Sequence, residues 1–266
     1  MTSNKGLNTH SDPRESRKGW GKGLLAAVQF LTIIPLRQEV TRDGIGRSLI
    51  YFPVIGLGIG AILFGLDNLF VLFLPPALGS ALLIVALVLL TGAHHLDGFI
   101  DTCDGMAAGR SAEQRLAIMR DSRSGGFGVV GAFCLLLVKY ISLLFLPGAY
   151  RMAALLLMPA LGRWAMVYAI FGYPSARSEG MGQTFKEQAN WRGLVIATLI
   201  AIAISVALME LLGLALMAAI WFFVLILAGI LRRKLGGLTG DTYGAINEVI
   251  EVCVLILVPL IAGGYF

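Results

Sequence analysis

The sequence predicts an all-α integral membrane protein: about seven transmembrane helices and a short N-terminal interfacial or re-entrant helix, with the N-terminus in the cytoplasm and the C-terminus outside. Three observations carry that expectation. Hydrophobic residues make up 57% of the 266 residues and charged residues only 14%, where an ordinary soluble domain has about half and about a quarter. Mean hydropathy is +0.81, more apolar surface than a soluble core hides and no more than lipid accepts. Basic residues, finally, gather in alternate loops.

Residues 1–22 are polar and hold Lys5, Arg14, Arg17 and Lys18. They read as a disordered cytoplasmic tail, which leaves 23–266 as a single polytopic membrane domain. The apolar run from Leu24 to Leu36 is shorter than the roughly 20 residues a span needs, and no small-x-small cleavage site follows it. It is assigned to the interfacial or re-entrant helix. Spans are placed at 49–74, 78–96, 127–147, 152–172, 193–211, 213–231 and 244–263. Pro75-Pro76, Pro147-Gly148 and Gly213 mark tight turns between three pairs of them. The loops 37–48, 97–126, 173–192 and 232–243 carry nearly all the loop arginines and lysines, and the intervening turns hold only Arg151. With seven spans and a non-spanning first helix, every basic loop falls in the cytoplasm.

The net charge of +5 is spread along these loops, with no basic face interleaved with stacking aromatics, so no nucleic-acid partner is expected. Cys103, Cys134 and Cys253 share no CxxC spacing. They read as small packing residues rather than a disulfide framework.

Chemistry concentrates in His94-His95-Leu96-Asp97-Gly98-Phe99-Ile100-Asp101-Thr102-Cys103-Asp104-Gly105. Asp97, Asp101 and Asp104 stand at i, i+4 and i+7, within about 60° of one another on a helix, so the three carboxylates share a face. Placed at the C-terminal end of the 78–96 span, they meet the negative end of its dipole and one another. A divalent cation would compensate. Carboxylate oxygens suit Mg²⁺, which also holds substrate phosphates. The bland alternative is a solvated helix end with arginine partners. His95 is a candidate orienting or acid/base group, and His94 a weaker one.

Two further segments look purposeful. Arg120-Asp121-Ser122-Arg123-Ser124-Gly125-Gly126 leads into one span, and Gly236-Gly237-Leu238-Thr239-Gly240-Asp241-Thr242 into the last. Each sets glycines and hydroxyls at a helix N-terminus, where free N–H groups and the dipole favour phosphate. Glycines also make ordinary turns, so each loop alone is a weak signal. Between the acidic run and the first loop, Ser111 and Gln114 form a capping box for a helix over 112–121, with Met119 on the membrane surface. Lys139, Arg163 and Glu248 lie inside spans, where charge is costly and suggests a substrate-binding role; structural pairing with Glu248 or Glu251 is the alternative. Asp67 and Glu210 lie near the outer ends and are expected to reach water.

These residues resemble the cobalamin synthase family, the adenosylcobinamide-GDP ribazoletransferases. The resemblance rests on His95-Leu96-Asp97-Gly98 with Asp101-Thr102 and Asp104-Gly105, on Met119-Arg120-Asp121-Ser122-Arg123 followed by Gly125, on Leu235-Gly236-Gly237 with Thr239-Gly240-Asp241-Thr242 and Gly244, and on Phe52-Pro53-Val54-Ile55-Gly56. It runs from about 24 to 262. Phe99-Ile100 departs from the smaller or different apolar residues common there, and the N-terminal tail is an extension. The resemblance implies a Mg²⁺-dependent phosphotransferase of the inner cell membrane, with a cytoplasmic active site. Its substrates would be adenosylcobinamide-GDP and α-ribazole or α-ribazole 5′-phosphate, and its products GMP and adenosylcobalamin or its 5′-phosphate. It implies Asp97, Asp101 and Asp104 as metal ligands, a carboxylate such as Asp104 or Asp241 as proton acceptor, and Arg120, Arg123 and the two glycine loops as phosphate holders. A homo-oligomer is compatible with it.

Two other readings compete. A CDP-alcohol phosphatidyltransferase shares the logic of helix-end aspartates, but its acid pairs separated by Ala-Arg are missing here. A transporter would set its charged site at the midplane on broken helices, whereas these acids and glycines gather at one face.

Overall fold

The computed structural model describes residues 13–36, 41–121 and 123–264, which form helices and a single isolated β-bridge. Helix α1 (Pro13–Leu31) starts inside the segment read as a tail. Its apolar part, Gly21–Leu31, is too short to cross a bilayer. Helix α2 (Arg42–Ser48), within a segment read as a loop, is capped by Thr41, whose side chain accepts from Gly44 N. A short 3₁₀ turn (Leu49–Tyr51) joins it to α3 (Phe52–Phe70). Then come α4 (Pro76–Leu90), α5 (His94–Ala108), α6 (Ala112–Ile118), α7 (Gly126–Leu144), α8 (Gly148–Gly172), α9 (Met181–Gln188), α10 (Trp191–Leu235) and α11 (Gly240–Ile261).

Among the described residues five helices are long and apolar enough to cross a membrane, or six if α4 and α5, bent by 92°, count as one broken span. The longest, α10, folds back on itself. Glu210 breaks it with φ 52° and ψ −132°, and a Cβ on Gly213 would strike the Ser205 carbonyl. Trp164 Nε1 donates to Thr198 Oγ1 at 3.0 Å, and one turn further along α8 Tyr168 meets the Trp221 ring edge-on. A straight helix would part residues 198 and 221 by roughly 35 Å. The arms 191–209 and 211–235 therefore lie side by side against α8.

Helix α8 is the hub, with 83% of its most apolar stretch buried against 33% for α7. Gly56 and Gly60 let α3 close on it. A Cβ at either position would sit 2.7 Å from a backbone Cα of α8, that of Ala160 or Leu156, the small-xxx-small device of membrane helices. Apolar side chains also point outward: Phe133 is 66% exposed and Leu211 78%. Such a surface invites aggregation in water and suits a bilayer. At the far end, Asp67 is largely withdrawn from water, not open to it as expected. It is buried and held by Arg151 through Nε at 2.6 Å and Nη2 at 2.7 Å.

Candidate active site

The site is built where α4 stops. Gly92 (φ 61°) and Ala93 (φ 58°) both adopt the left-handed conformation, so the helix ends at Leu90 and a new one begins at His94. Helix α5 then lies across the N-terminal ends of α7 and α11 and is not itself a span. This corrects the electrostatic expectation. Asp97 stands in the first turn of α5, at the positive end of a dipole rather than the negative end of the preceding span.

The three aspartates share a face as their spacing requires, but they have separate tasks. Asp104 is buried and already spent: its Oδ2 accepts from Gly125 N at 2.7 Å and its Oδ1 from Gly128 N at 2.8 Å. It caps α7 from another helix. The expected phosphate donor Gly125 is thereby occupied, while Gly126 is exposed with open space around it. Asp97 is exposed and Asp101 half-buried. Neither carboxylate accepts a hydrogen bond or forms an ion pair among the described residues. Burial first, then the carboxylates of Asp97, Asp241 and Asp104, push the Asp101 carboxyl up to about 6.

Helix α11 approaches α5 through glycines. A Cβ on Gly98 would lie 2.7 Å from the Asp241 carbonyl, and one on Gly244 3.0 Å from that of His95. Thr239 caps α11. Its Oγ1 accepts from Thr242 N, and Thr242 Oγ1 accepts from Thr239 N, a reciprocal box. Both threonines are buried structural caps. Gly237 packs on the 174–176 backbone, where Ala176 N donates to Leu238 O and Leu238 N to Pro174 O, each at 2.8 Å. That bridge delivers Arg177, whose Nη1 lies 2.9 Å from Asp241 Oδ2. Arg177 Nε and Nη2 are buried without a partner. In the sequence Arg177 is one of several basic residues of loop 173–192, and only the bridge from Ser175 to Leu238 places it.

Two cavities meet here. One of about 210 Å³ is lined by His94, His95, Asp97, Gly98 and Asp241, with Phe30, Met166 and Phe185 among its apolar walls. A smaller one of about 130 Å³ is lined by Ser175, Arg177, Thr239, Gly240 and Asp241. They share Met181, Gly182, Gly240 and Asp241.

Beneath them the intramembrane charges form a closed cluster. Lys139 bonds Glu248 and Glu251, Arg163 bonds Glu251, and all four are buried. Two cations and two anions cancel, and none of the four lines either cavity. Lys139, Arg163 and Glu248, for which the sequence allows substrate contact or structural pairing, thus form with Glu251 an ion-pair lock between α7, α8 and α11. The lock reaches the site through Arg163 Nη2, 3.4 Å from His95 Nδ1. His95 is 3% exposed and its Nε2 has no partner.

The loop before α7 contributes less than expected. Arg123 forks onto Asp121, with Nη2–Oδ2 at 2.8 Å, and both are exposed. Arg120 is exposed as well. Ser122 lies outside the described residues. Helix α6 does start at the Ser111 cap, with Gln114 N donating to its Oγ at 3.3 Å. Met119 is buried against Gly105 rather than lying on a membrane surface. Among the described residues no three His, Cys, Asp or Glu side chains gather tightly enough to hold a metal by themselves.

A family model described as cobalamin-5-phosphate synthase matches residues 23–259. The chain is 40% identical over 258 residues to an adenosylcobinamide-GDP ribazoletransferase of Roseiflexus sp., covering 94% of each chain. It is 38% identical over 243 residues to one of Geotalea daltonii, covering 90% of this chain and 97% of the relative. A third, from Desulforamulus reducens, is 37% identical over 243 residues, 89% of this chain and 96% of the relative. No solved structure matches.

Proposed function

The chain belongs to the cobalamin-5-phosphate synthase family, and on that premise we propose that it is a membrane phosphotransferase joining adenosylcobinamide-GDP to α-ribazole or α-ribazole 5′-phosphate. The acceptor's 3′-hydroxyl oxygen bonds to the phosphorus on the cobinamide side. The bond from that phosphorus to the bridging oxygen breaks, and GMP leaves with it. The observation that carries this reading is the convergence of Asp97 of α5, Asp241 of α11 and Arg177 of the loop before α9 on joined cavities, with the Asp101 carboxyl close enough to feel the charges of Asp97 and Asp241.

Each residue has a task. Arg177 keeps Nε and Nη2 for phosphate oxygens while Nη1 holds Asp241 Oδ2. Thr239 Oγ1 shares that same oxygen at 3.3 Å, so Asp241 Oδ1 is the atom left to take the hydroxyl proton. His95, oriented by Arg163, lines the cavity where the pyrophosphate would lie. Asp97 and Asp101 fit Mg²⁺: they are hard oxygen donors without protein partners, and their mutual repulsion asks for a cation. With Asp104 committed to α7, two carboxylates and substrate phosphates make the ligand set, in place of three aspartates. When bound, Mg²⁺ would neutralise charge on the transferring phosphoryl group.

The reading includes seven crossings with the N-terminus inside, counting the two arms of α10 separately and α4 as a crossing. The cavities then face the cytoplasm of a cell whose inner membrane holds the protein. Purified protein in vesicles should release GMP and form a cobalamin only when both substrates and Mg²⁺ are supplied. GMP release independent of the acceptor, or no product under saturating conditions, would overturn the assignment.

A further inference from the structure

A third cavity, of about 470 Å³, adjoins the catalytic one, between α1, α2 and α9. Its walls are apolar, with Ala26, Phe30, Ile45 and Phe185 chief among them. Its polar groups are few: Gln29, Ser48 and His94. Phe30 and Phe185 pack 4.6 Å apart and both stand on Phe52, with centroids at 5.9 and 5.7 Å, which makes a preformed aromatic wall. The size and the balance of apolar wall to few polar groups are those of a small-molecule site, typically about 300–1,000 Å³. Phe30, His94, Met181 and Phe185 line both this cavity and the one holding Asp97 and Asp241, so an occupant could reach the reacting atoms.

We propose that this cavity seats the aromatic base of the acceptor nucleoside, an inference that rests on the reaction proposed above. Of the two substrates' parts, the base of α-ribazole matches the walls best. It is a methyl-bearing bicycle with one unprotonated ring nitrogen and no N–H donor, so it can be buried among phenylalanines with few polar partners. The guanine of the donor would leave several donors and acceptors unpaired there, at a steep cost in affinity. The corrin ring of the donor, ringed with amides, is too large and too polar for the space.

His94 marks where the base ends and the sugar begins. Its Nδ1 lies 3.0 Å from the Thr91 carbonyl. A carbonyl only accepts, so Nδ1 carries the proton and Nε2 is an acceptor. An acceptor in the wall shared by the two cavities suits a ribose hydroxyl on its way to the phosphorus. The largely apolar cavity thus fixes which nucleoside is used, and the polar ones do the chemistry.

The test is to fill the cavity from its wall. Ala26→Phe on α1, and independently Ile45→Phe on α2, should raise KM for α-ribazole about tenfold. Both kcat and KM for adenosylcobinamide-GDP should stay within about twofold. The filled variants should also lose less activity with a benzimidazole riboside lacking the methyl groups than with α-ribazole itself. Two variants on separate helices guard against one failing to fold. Folded variants with unchanged KM for α-ribazole would overturn the subsite and point to a lipid chain or an unused void. A rise in KM for adenosylcobinamide-GDP alone would overturn it in favour of the donor. If the wild type makes no product from the two substrates, the proposed reaction fails; if it turns over while the filled variants match it, only the subsite fails.

Discussion

The helix starts at Gly126 and Gly240 look alike in sequence: each follows a polar, glycine-rich loop on a stretch that leads into an apolar span. The fold treats them differently. The first is closed by Asp104, which reaches across from α5 and occupies the N–H groups of Gly125 and Gly128. The second is capped from within by Thr239 and Thr242, and its outer face stays open onto a cavity beside Arg177 and Asp241. An anion-binding helix end is only a potential site. Whether it binds substrate depends on whether the protein has already supplied the anion.

The contrast is broken most severely at the open end. Asp101→Ala should lower kcat by about 10³-fold with the fold intact, because a carboxylate crowded by Asp97 and Asp241 and held by no protein group is there for the cation beside the cavity. A folded variant with near wild-type turnover in a GMP-release assay would end the claim. At the closed end, Asp104→Ala should act on stability instead, by about 2 kcal/mol, through loss of a cap and two orphaned N–H groups. Thermal unfolding in detergent would reveal it, and activity per folded molecule should fall far less than for Asp101→Ala. Equal losses at both positions would erase the distinction.

A milder change sharpens the open end. Arg177→Gln keeps a hydrogen-bonding side chain but loses the fork, and KM for the nucleotide-bearing substrate should rise about tenfold. A purely structural Arg177 would change melting temperature and leave KM alone. The smallest effect is on pH. The folded Asp101 carboxyl titrates at about 6, above its ordinary 3.8, so the unfolded chain releases that proton first. Its contribution to stability is full below about 4 and is lost as pH rises through about 6. In chelator the melting temperature should therefore drop slightly between pH 4 and 7. An increase attributable to Asp101, judged by its absence in Asp101→Asn, would contradict the crowding of carboxylates.

Much of this was legible in the residues. Apolar runs and the placement of arginines announced membrane helices, because a bilayer imposes a length and a composition that no neighbour can override. The capping residue Ser111 was equally local, as was the fold-back within α10, expected at Gly213 and made at Glu210. The face shared by Asp97, Asp101 and Asp104 followed from helical spacing alone. The division of labour on that face did not. It depends on Gly92 and Ala93 turning α4 away from α5 by 92°, which reverses the dipole under Asp97, and on α7 arriving beside Asp104.

Arg177 was invisible for a similar reason: its partner Asp241 lies beyond the whole of α10 in sequence and is reached through one bridge, Ser175 to Leu238. The intramembrane charges looked functional because charge in lipid is costly, yet Lys139, Arg163, Glu248 and Glu251 neutralise one another once three helices meet. Local composition and spacing set the solvent the chain needs and the side chains able to do chemistry. Which of those side chains are spent on holding helices together and which remain for substrate was decided only by tertiary structure, because a hydrogen bond used between helices is no longer available to a ligand.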